Sequence, residues 1–227
     1  MMARFQFDTV VLEVPDTLLT TSIAEKMATG GYERSEARAA AMRVRPGHRV
    51  LELGSGVGYI SSLCAQITDP ANIVTVEANP EVLGVIRRNL DLNNAAAVTL
   101  IHGAVVGRDF AEESVLFRIG RAFWGSSMAE DTASGDAVVE VPALSLCELL
   151  ATHRPNVVIM DIEGAEQYLF DWKWPRHVRQ LIMELHPSKY SSRTVKKMVD
   201  CMSQSGLTYD PGCSRGTLLG FRRASGD

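Results

Sequence analysis

The 227-residue sequence has no apolar run of the roughly 18 residues that a membrane-spanning helix needs, no Cys-x-x-Cys pair and no block of like charge. The first absence leaves no candidate span. Because Cys64, Cys147, Cys201 and Cys213 lie far apart in apolar or small-residue surroundings, the second argues against a zinc site and for reduced packing thiols rather than a disulfide frame. The third leaves little for a nucleic-acid backbone to dock on. With 23 basic against 27 acidic residues the formal net charge is -4, so small or neutral substrates are expected and no nucleic-acid partner. Met1 to Thr20 lacks the continuous apolar core of a signal peptide, which makes a cytoplasmic protein the expectation. Repeats and linkers are missing too, and the length suits one α/β domain that buries roughly 70% of its unfolded surface.

What is present centres on Val50-Leu51-Glu52-Leu53-Gly54-Ser55-Gly56-Val57-Gly58, an apolar run entering three alternate glycines. Glycine lets a backbone turn sharply and approach a ligand closely, which is how an α/β sheet opens a nucleotide pocket. A dinucleotide fingerprint would place its third glycine at position 59, where this chain has Tyr59. About 20 residues downstream the strand Asn72–Val76 ends in Glu77, placed to accept hydrogen bonds from two ribose hydroxyls. Loop and acid together resemble the class I S-adenosylmethionine-dependent methyltransferases.

Around this centre strands alternate with helices. Strands are expected at 49–53, 72–77, 97–102, 156–160 and 178–185, and helices at 58–67, 80–91, 144–151 and 191–203. The pattern implies a Rossmann-like, doubly wound, mainly parallel seven-stranded sheet whose ligands sit at the carboxyl ends of the strands. An antiparallel pair, 207–210 and 217–222, closes it at the C-terminus. Residues 1–46 read as an N-terminal extension: a strand or hairpin over 5–14, then helices at 18–27 and 32–42. The alternation breaks over 104–142, where β-like runs at 114–119 and 137–141 flank a loop bearing Ser126 and Ser127. Such an insertion is either a place where substrate specificity is grafted or a surface excursion. A further helix after Asp161 would carry Tyr168, Phe170, Trp172 and Trp174, and exposed tryptophans there would leave room for a homodimer.

At Asp161-Ile162-Glu163-Gly164-Ala165-Glu166 the sequence resembles the FkbM family of S-adenosylmethionine-dependent methyltransferases, whose signature is an apolar strand followed by Asp-x-Glu-Gly-x-Glu. Gly31-Tyr32-Glu33 with Glu36, the Ser126-Ser127 pair and Met183-Glu184-Leu185-His186-Pro187 extend the likeness over about residues 30–222. The resemblance implies O-methylation of a hydroxyl on a sugar or natural product, with S-adenosylmethionine as cofactor and S-adenosylhomocysteine as product. It implies cofactor contacts from Glu52, Gly54, Ser55, Gly56, Gly58, Glu77, Ala78 and Asp161, with backbone near Gly103 and Ala104 on the adenine. Tyr32, Ser126, Ser127 and Glu163 become candidates for the acceptor side. Glu52 stands where family members often carry Asp, and the third strand ends in His102-Gly103-Ala104 without an acidic side chain for adenine.

Methyl transfer to oxygen needs the oxygen, methyl carbon and sulfur in line, and a group to take the hydroxyl proton. Asp161 is the first candidate for base or substrate anchor, and His186, with an unperturbed pKa near 6.5, is the second. His102 would hydrogen-bond adenosine or cap its strand. Asp161, Glu163 and Glu166 could also hold Mg²⁺, but carboxylates at Glu163 and Glu166 equally suit a helix N-terminus, so no metal is expected. Two other readings remain open: a non-catalytic adenosyl-binding module, and a methyltransferase for a macromolecule.

Overall fold

The computed structural model describes residues 1–120, 127–128 and 137–224. The chain opens with an antiparallel hairpin of β1 (Met2–Phe7) and β2 (Val10–Pro15), longer at both ends than the expected 5–14. Helix α1 (Thr21–Ala28) starts later than its apolar pattern suggests, because the Thr20 side chain accepts from the Ile23 N–H and sets the cap. Helix α2 (Arg34–Arg43) likewise excludes Tyr32 and Glu33, since Glu33 takes a left-handed φ of 46°.

Then come β3 (Val50–Leu53), α3 (Tyr59–Ala65), β4 (Ile73–Glu77), α4 (Leu83–Leu92) and β5 (Thr99–His102). A second run supplies α5 (Leu146–His153), β10 (Val157–Met160), β11 (Gln180–Glu184), α6 (Ser192–Gln204), β12 (Leu207–Tyr209) and β13 (Leu218–Arg223). The main sheet has seven strands in the order β12-β13-β11-β10-β3-β4-β5, all parallel except β13, as the alternation predicts. Strands β3, β4 and β10 are buried at every residue because helices cover both faces, which explains their unbroken apolar runs. One apolar cluster packs α1 to α4 and the hairpin on one face; the other packs α5, α6, Phe170 and Trp174 on the opposite face.

Asn89 of α4 and Asn93, which caps that helix at its C-terminus, fasten the N-terminal hairpin to this body. Asn89 accepts from the Glu13 N–H at 2.8 Å and donates to the Val57 carbonyl at 2.8 Å, so one fully buried amide ties β2 to the glycine loop. At the other end, Arg43 of α2 makes a two-pronged pair with the buried Asp210 at 2.6 and 2.7 Å.

Between β5 and α5 lies a separate four-stranded sheet, β6 (Ala104–Val106), β9 (Ala137–Ser145), β7 (Ser114–Ile119) and β8 (Ser127–Met128) in spatial order. Strand β9 (Ala137–Ser145) runs past the expected end at Val141 because Ala143 to Ser145 pair in parallel with β6, and α5 therefore begins at Leu146 rather than Leu144. The helix expected after Asp161 is only a 3-10 turn, Ala165–Tyr168. Of the aromatics expected on it, Tyr168 is exposed, whereas Trp174 is buried, stacks on Phe170 at 5.4 Å and donates its indole N–H to the Leu169 carbonyl. That burial removes Trp174 from the exposed pair on which the homodimer expectation stood. All four cysteines are free thiols, and no helix of the described residues is long and apolar enough to cross a membrane.

Candidate cofactor and acceptor site

The order of the main sheet reverses between β3 and β10, the place where an open α/β sheet parts to admit a ligand. Register does the rest. Leu53 sits opposite Met160 and Val76, so the residues following each strand emerge side by side: Gly54 after β3, Glu77 ending β4, Gly103 after β5 and Asp161 after β10. The Asp161 N–H donates to the Leu53 carbonyl, Gly54 N–H to Val76 and Gly103 N–H to Glu77, each at 2.9 Å.

The three loop glycines all have positive φ, but their neighbours differ. At Gly54 (φ 87°) a Cβ would lie 1.8 Å from the Asp161 carbonyl oxygen, and at Gly56 (φ 55°) it would lie 2.5 Å from Tyr32 Oη and 2.7 Å from Glu33 Oε1. Gly54 therefore brings β3 and β10 together, while Gly56 leaves room for the residues preceding α2 to reach the loop. Gly58 packs on Ile86 of α4 and lies outside the cleft.

Glu77 accepts from the Ser55 N–H at 2.9 Å through one oxygen and from the Asn79 N–H at 2.8 Å through the other. Burial raises its pKa above the usual carboxylate value, and these amide hydrogen bonds work against that. The carboxylate that faces the cleft thus also shapes the glycine loop. Beneath it, Ser55 donates to Thr75, and Thr75 and Ser61 donate to Glu52. Glu52, expected at the cofactor, is 2% exposed and does not reach the cleft, because a strand residue of this parity points under the loop.

Burial pushes the Glu52 carboxyl from its ordinary 4.5 to about 7, despite two hydroxyl donors. A folded pKa above the unfolded one means stability fully present below about pH 4.5 and lost as pH rises through 7. We expect Glu52 to make the ligand-free protein less stable at pH 8 than at pH 5 by on the order of 2–3 kcal/mol. Denaturant titrations across this range should show a shallower slope in Glu52→Gln. An identical slope in both proteins would refute the assignment.

The acidic strand ends meet one histidine. His186, just past β11, places Nδ1 3.1 Å from Glu166 Oε1, while Nε2 faces Asp161 Oδ1 at 3.4 Å and Glu163 Oε2 at 3.5 Å. Glu166 is fully buried, and its Oε1 also accepts from the Ile162 N–H at 3.1 Å. Burial alone would lower the His186 pKa, but the Glu166 hydrogen bond and the three carboxylates raise it to about 9. These carboxylates favour the protonated imidazole, which works against the free-base role that its ordinary pKa suggested. Asp161 moves the other way for an acid: burial, then Glu184 and Glu163, hold its pKa well above the usual range.

The cleft between these edges is lined by Tyr32, Glu33, Gly54, Gly56, Glu77, Ala78, Gly103, Ala104, Asp161 and Glu163, among others. His102, instead of reaching it, hydrogen-bonds the Ala78 carbonyl at 3.2 Å. Across Glu163 and Ala165, which border both, lies a wider cavity of about 850 Å³ between the 3-10 turn and the second sheet, with Phe110, Leu116, Tyr168, Arg108 and Lys189 in its walls. Ser126 lies outside the described residues, and the backbone of Ser127 pairs with Arg118 in β8.

Glu33 is the cleft residue that sequence reasoning passed over as a functional group. It has a left-handed φ, its carboxyl is held well above the usual range chiefly by burial, and its Oε2 is buried without a hydrogen-bond partner. The only sequence signal was its place in Gly31-Tyr32-Glu33; that it overhangs Gly56 depends on how α2 packs.

Comparison with known proteins agrees with this geometry. A family model described as the TRM5/TYW2 methyltransferase domain matches residues 23–120, the stretch that carries Glu33, the glycine loop and Glu77. Protein-L-isoaspartate O-methyltransferase of Methanopyrus kandleri is 45% identical over 47 residues, which is 20% of this chain and 21% of that protein. The chain thus aligns with about a fifth of that relative's length. Precorrin-6y C5,15-methyltransferase of Geobacter metallireducens shares the fold with a TM-score of 0.50 and 14% identity, covering 95% of this chain and 97% of that one. Trm5b of Pyrococcus abyssi superposes with a TM-score of 0.51 at 12% identity, covering 97% and 55%.

The shared fold and the family-model match over residues 23–120 support a class I S-adenosylmethionine-dependent methyltransferase with S-adenosylmethionine as its cofactor. They do not single out the FkbM family within that class.

Proposed function

We propose that the chain transfers the S-adenosylmethionine methyl group to a hydroxyl of a small molecule, a sugar or natural product, in the manner of the FkbM enzymes its Asp161–Glu166 motif resembles. The reading rests on one observation above all: Asp161 stands at the switch point of the sheet, beside Gly54 and next to Glu163, which borders both the cofactor cleft and the wider cavity. Glu77 would hold the ribose hydroxyls, backbone at Gly103 and Ala104 the adenine, and Glu33 Oε2 the methionyl ammonium that would satisfy it. Tyr32 would close the cleft over Gly56. A sulfonium and an ammonium suit a cleft lined by Glu33, Glu77, Asp161 and Glu163, whereas a polyanionic acceptor would meet repulsion there.

In the transfer, the acceptor oxygen forms a bond to the methyl carbon as the carbon–sulfur bond breaks, releasing S-adenosylhomocysteine, and the hydroxyl proton passes to Asp161. A raised pKa brings the Asp161 carboxylate nearer the operating pH, which improves it as a proton acceptor. His186, held by Glu166, faces Asp161 with its Nε2. The free thiols support a reducing, cytoplasmic setting.

The test is a methyl-transfer screen over hydroxylated acceptors. Asp161→Asn should lower kcat by about 10²–10⁴-fold, the usual contribution of a positioned base, while cofactor affinity changes by only a few-fold. Undiminished kcat in that variant would remove Asp161 from the chemistry. A macromolecular acceptor is favoured by the TRM5/TYW2 match alone; methylation of RNA or protein with none of small hydroxyls would establish it. Tight cofactor binding without transfer to any acceptor would leave a binding module.

A further inference from the structure

We propose that Asp161, Glu163 and His186 form a binding site for one divalent cation, with Glu166 as the residue that positions the imidazole. The site differs from the carboxylate trio suggested by sequence spacing. Glu166, the third acid of the motif, is buried behind His186 and holds its Nδ1 at 3.1 Å, so it is turned away from the other two. His186, 20 residues further on, takes its place.

Three observations carry the proposal. The first is spacing: one atom each from Asp161, Glu163 and His186 can be chosen so that all lie within 4.8 Å of one another, with His186 Nε2 at 3.4 and 3.5 Å from the two carboxylate oxygens. Adjacent ligands on an octahedral ion with bonds near 2.1 Å stand about 3.0 Å apart, so the imidazole lies a few tenths of an ångström too far from each carboxylate oxygen, and the two carboxylates, within 4.8 Å of each other, would draw together to complete one face. The second is unspent acceptor capacity. Asp161 Oδ1 is buried with no hydrogen-bond partner, and its neighbours Glu163, Glu166 and Glu184 are all acidic, against the single imidazole. A cation would give that oxygen a ligand bond and relieve the crowding of like charge.

The third is orientation. A carboxylate on Nδ1 directs Nε2 outward, the arrangement in which metal-bound histidines are normally held. Glu163 contributes its oxygen from a left-handed φ of 53°, a conformation that costs a non-glycine residue about 1–2 kcal/mol and that turns its side chain toward His186. Two carboxylates and one imidazole suit Mn²⁺, Zn²⁺ or Fe²⁺ better than the all-oxygen preference of Mg²⁺ or Ca²⁺.

The use of such an ion rests on the methyl-transfer reading: in the open positions it would bind the acceptor hydroxyl and ease loss of its proton to the Asp161 carboxylate oxygen that the ion leaves free. Its binding does not. The site lies on the wall between the cofactor cleft and the wider cavity, so an acceptor could reach it.

The probe is Mn²⁺, titrated into chelator-treated wild-type protein without cofactor and followed by electron paramagnetic resonance. One bound ion per chain is expected, with spin-echo modulation from a coordinated imidazole nitrogen. His186→Gln should abolish the nitrogen signal, Glu163→Gln should weaken binding more than 10-fold, and Glu166→Gln should weaken it about 10- to 100-fold. Circular dichroism and metal-free titration with S-adenosylmethionine accompany each variant, so loss of folding or of the cofactor reading is scored separately from loss of metal. Should a variant misfold, the wild-type nitrogen signal decides alone. Absence of a bound ion at millimolar Mn²⁺, or binding without the nitrogen signal, would overturn the proposal.

Discussion

Gly54→Ala will leave the protein largely unfolded, with a stability loss of more than about 4 kcal/mol. The new methyl would stand 1.8 Å from the Asp161 carbonyl oxygen, and neither side can yield. Asp161 is held in the parallel ladder by its N–H on Leu53, and Gly54 by its N–H on Val76, so relief would mean separating β3 from β10 at the centre of the sheet. The left-handed φ of 87° adds about 1–2 kcal/mol of its own. Gly58→Ala is the instructive control. It has nearly the same φ, 85°, but its nearest contact would be 3.3 Å from Ile86 Cγ2, a side-chain methyl that can shift, so only a few kcal/mol at most is expected. Equilibrium denaturation of both variants checks this. A Gly54→Ala protein within about 1 kcal/mol of wild type would show that the two strand ends do not meet as described.

The second large effect is on the cofactor. Glu77→Ala should weaken S-adenosylmethionine and S-adenosylhomocysteine binding at least 100-fold by calorimetry, about 2.7 kcal/mol, more than one ribose hydrogen bond supplies. The excess arises because Glu77 also anchors the Ser55 and Asn79 amides; without it those buried N–H groups lose their partners and the loop loses its shape. Glu77→Gln keeps one acceptor oxygen and should fall between. Glu33→Gln, which touches no loop amide, should cost about 10-fold by weakening only the contact to the methionyl ammonium. Binding within three-fold of wild type in Glu77→Ala would sink the ribose assignment.

These expectations show how unevenly the site could be read from residue order. The glycine loop, Glu77 and Asp161 were legible because each is a local signature: an apolar strand followed by residues that leave the sheet at its carboxyl edge. Glu52 belongs to the same signature and was misplaced, since parity along β3 turns it beneath the loop onto Ser61 and Thr75. Helices were expected over 144–151 and after Asp161, but pairing of Ala143 to Ser145 with β6 delays the first to Leu146, and only a 3-10 turn, Ala165–Tyr168, forms in place of the second.

His186 illustrates the same limit in chemistry. As a residue near the end of a strand it carried an ordinary pKa and a plausible base role; surrounded by Asp161, Glu163 and Glu166 its proton affinity rises. A proton affinity depends on neighbours within a few ångströms, and those neighbours are 20 or more residues away in the chain.

The sequence by itself determined the α/β class, the parallel order of alternating strands and helices, and the glycine loop with its acidic partner, because hydrophobic period and backbone freedom are local properties. Only the tertiary structure decided that Glu33 overhangs the loop, that Glu166 turns away to hold His186, and that Asp161, Glu163 and His186 converge. Those are contacts between distant segments, set by strand register and by how α2 and the turn after β10 pack against the sheet.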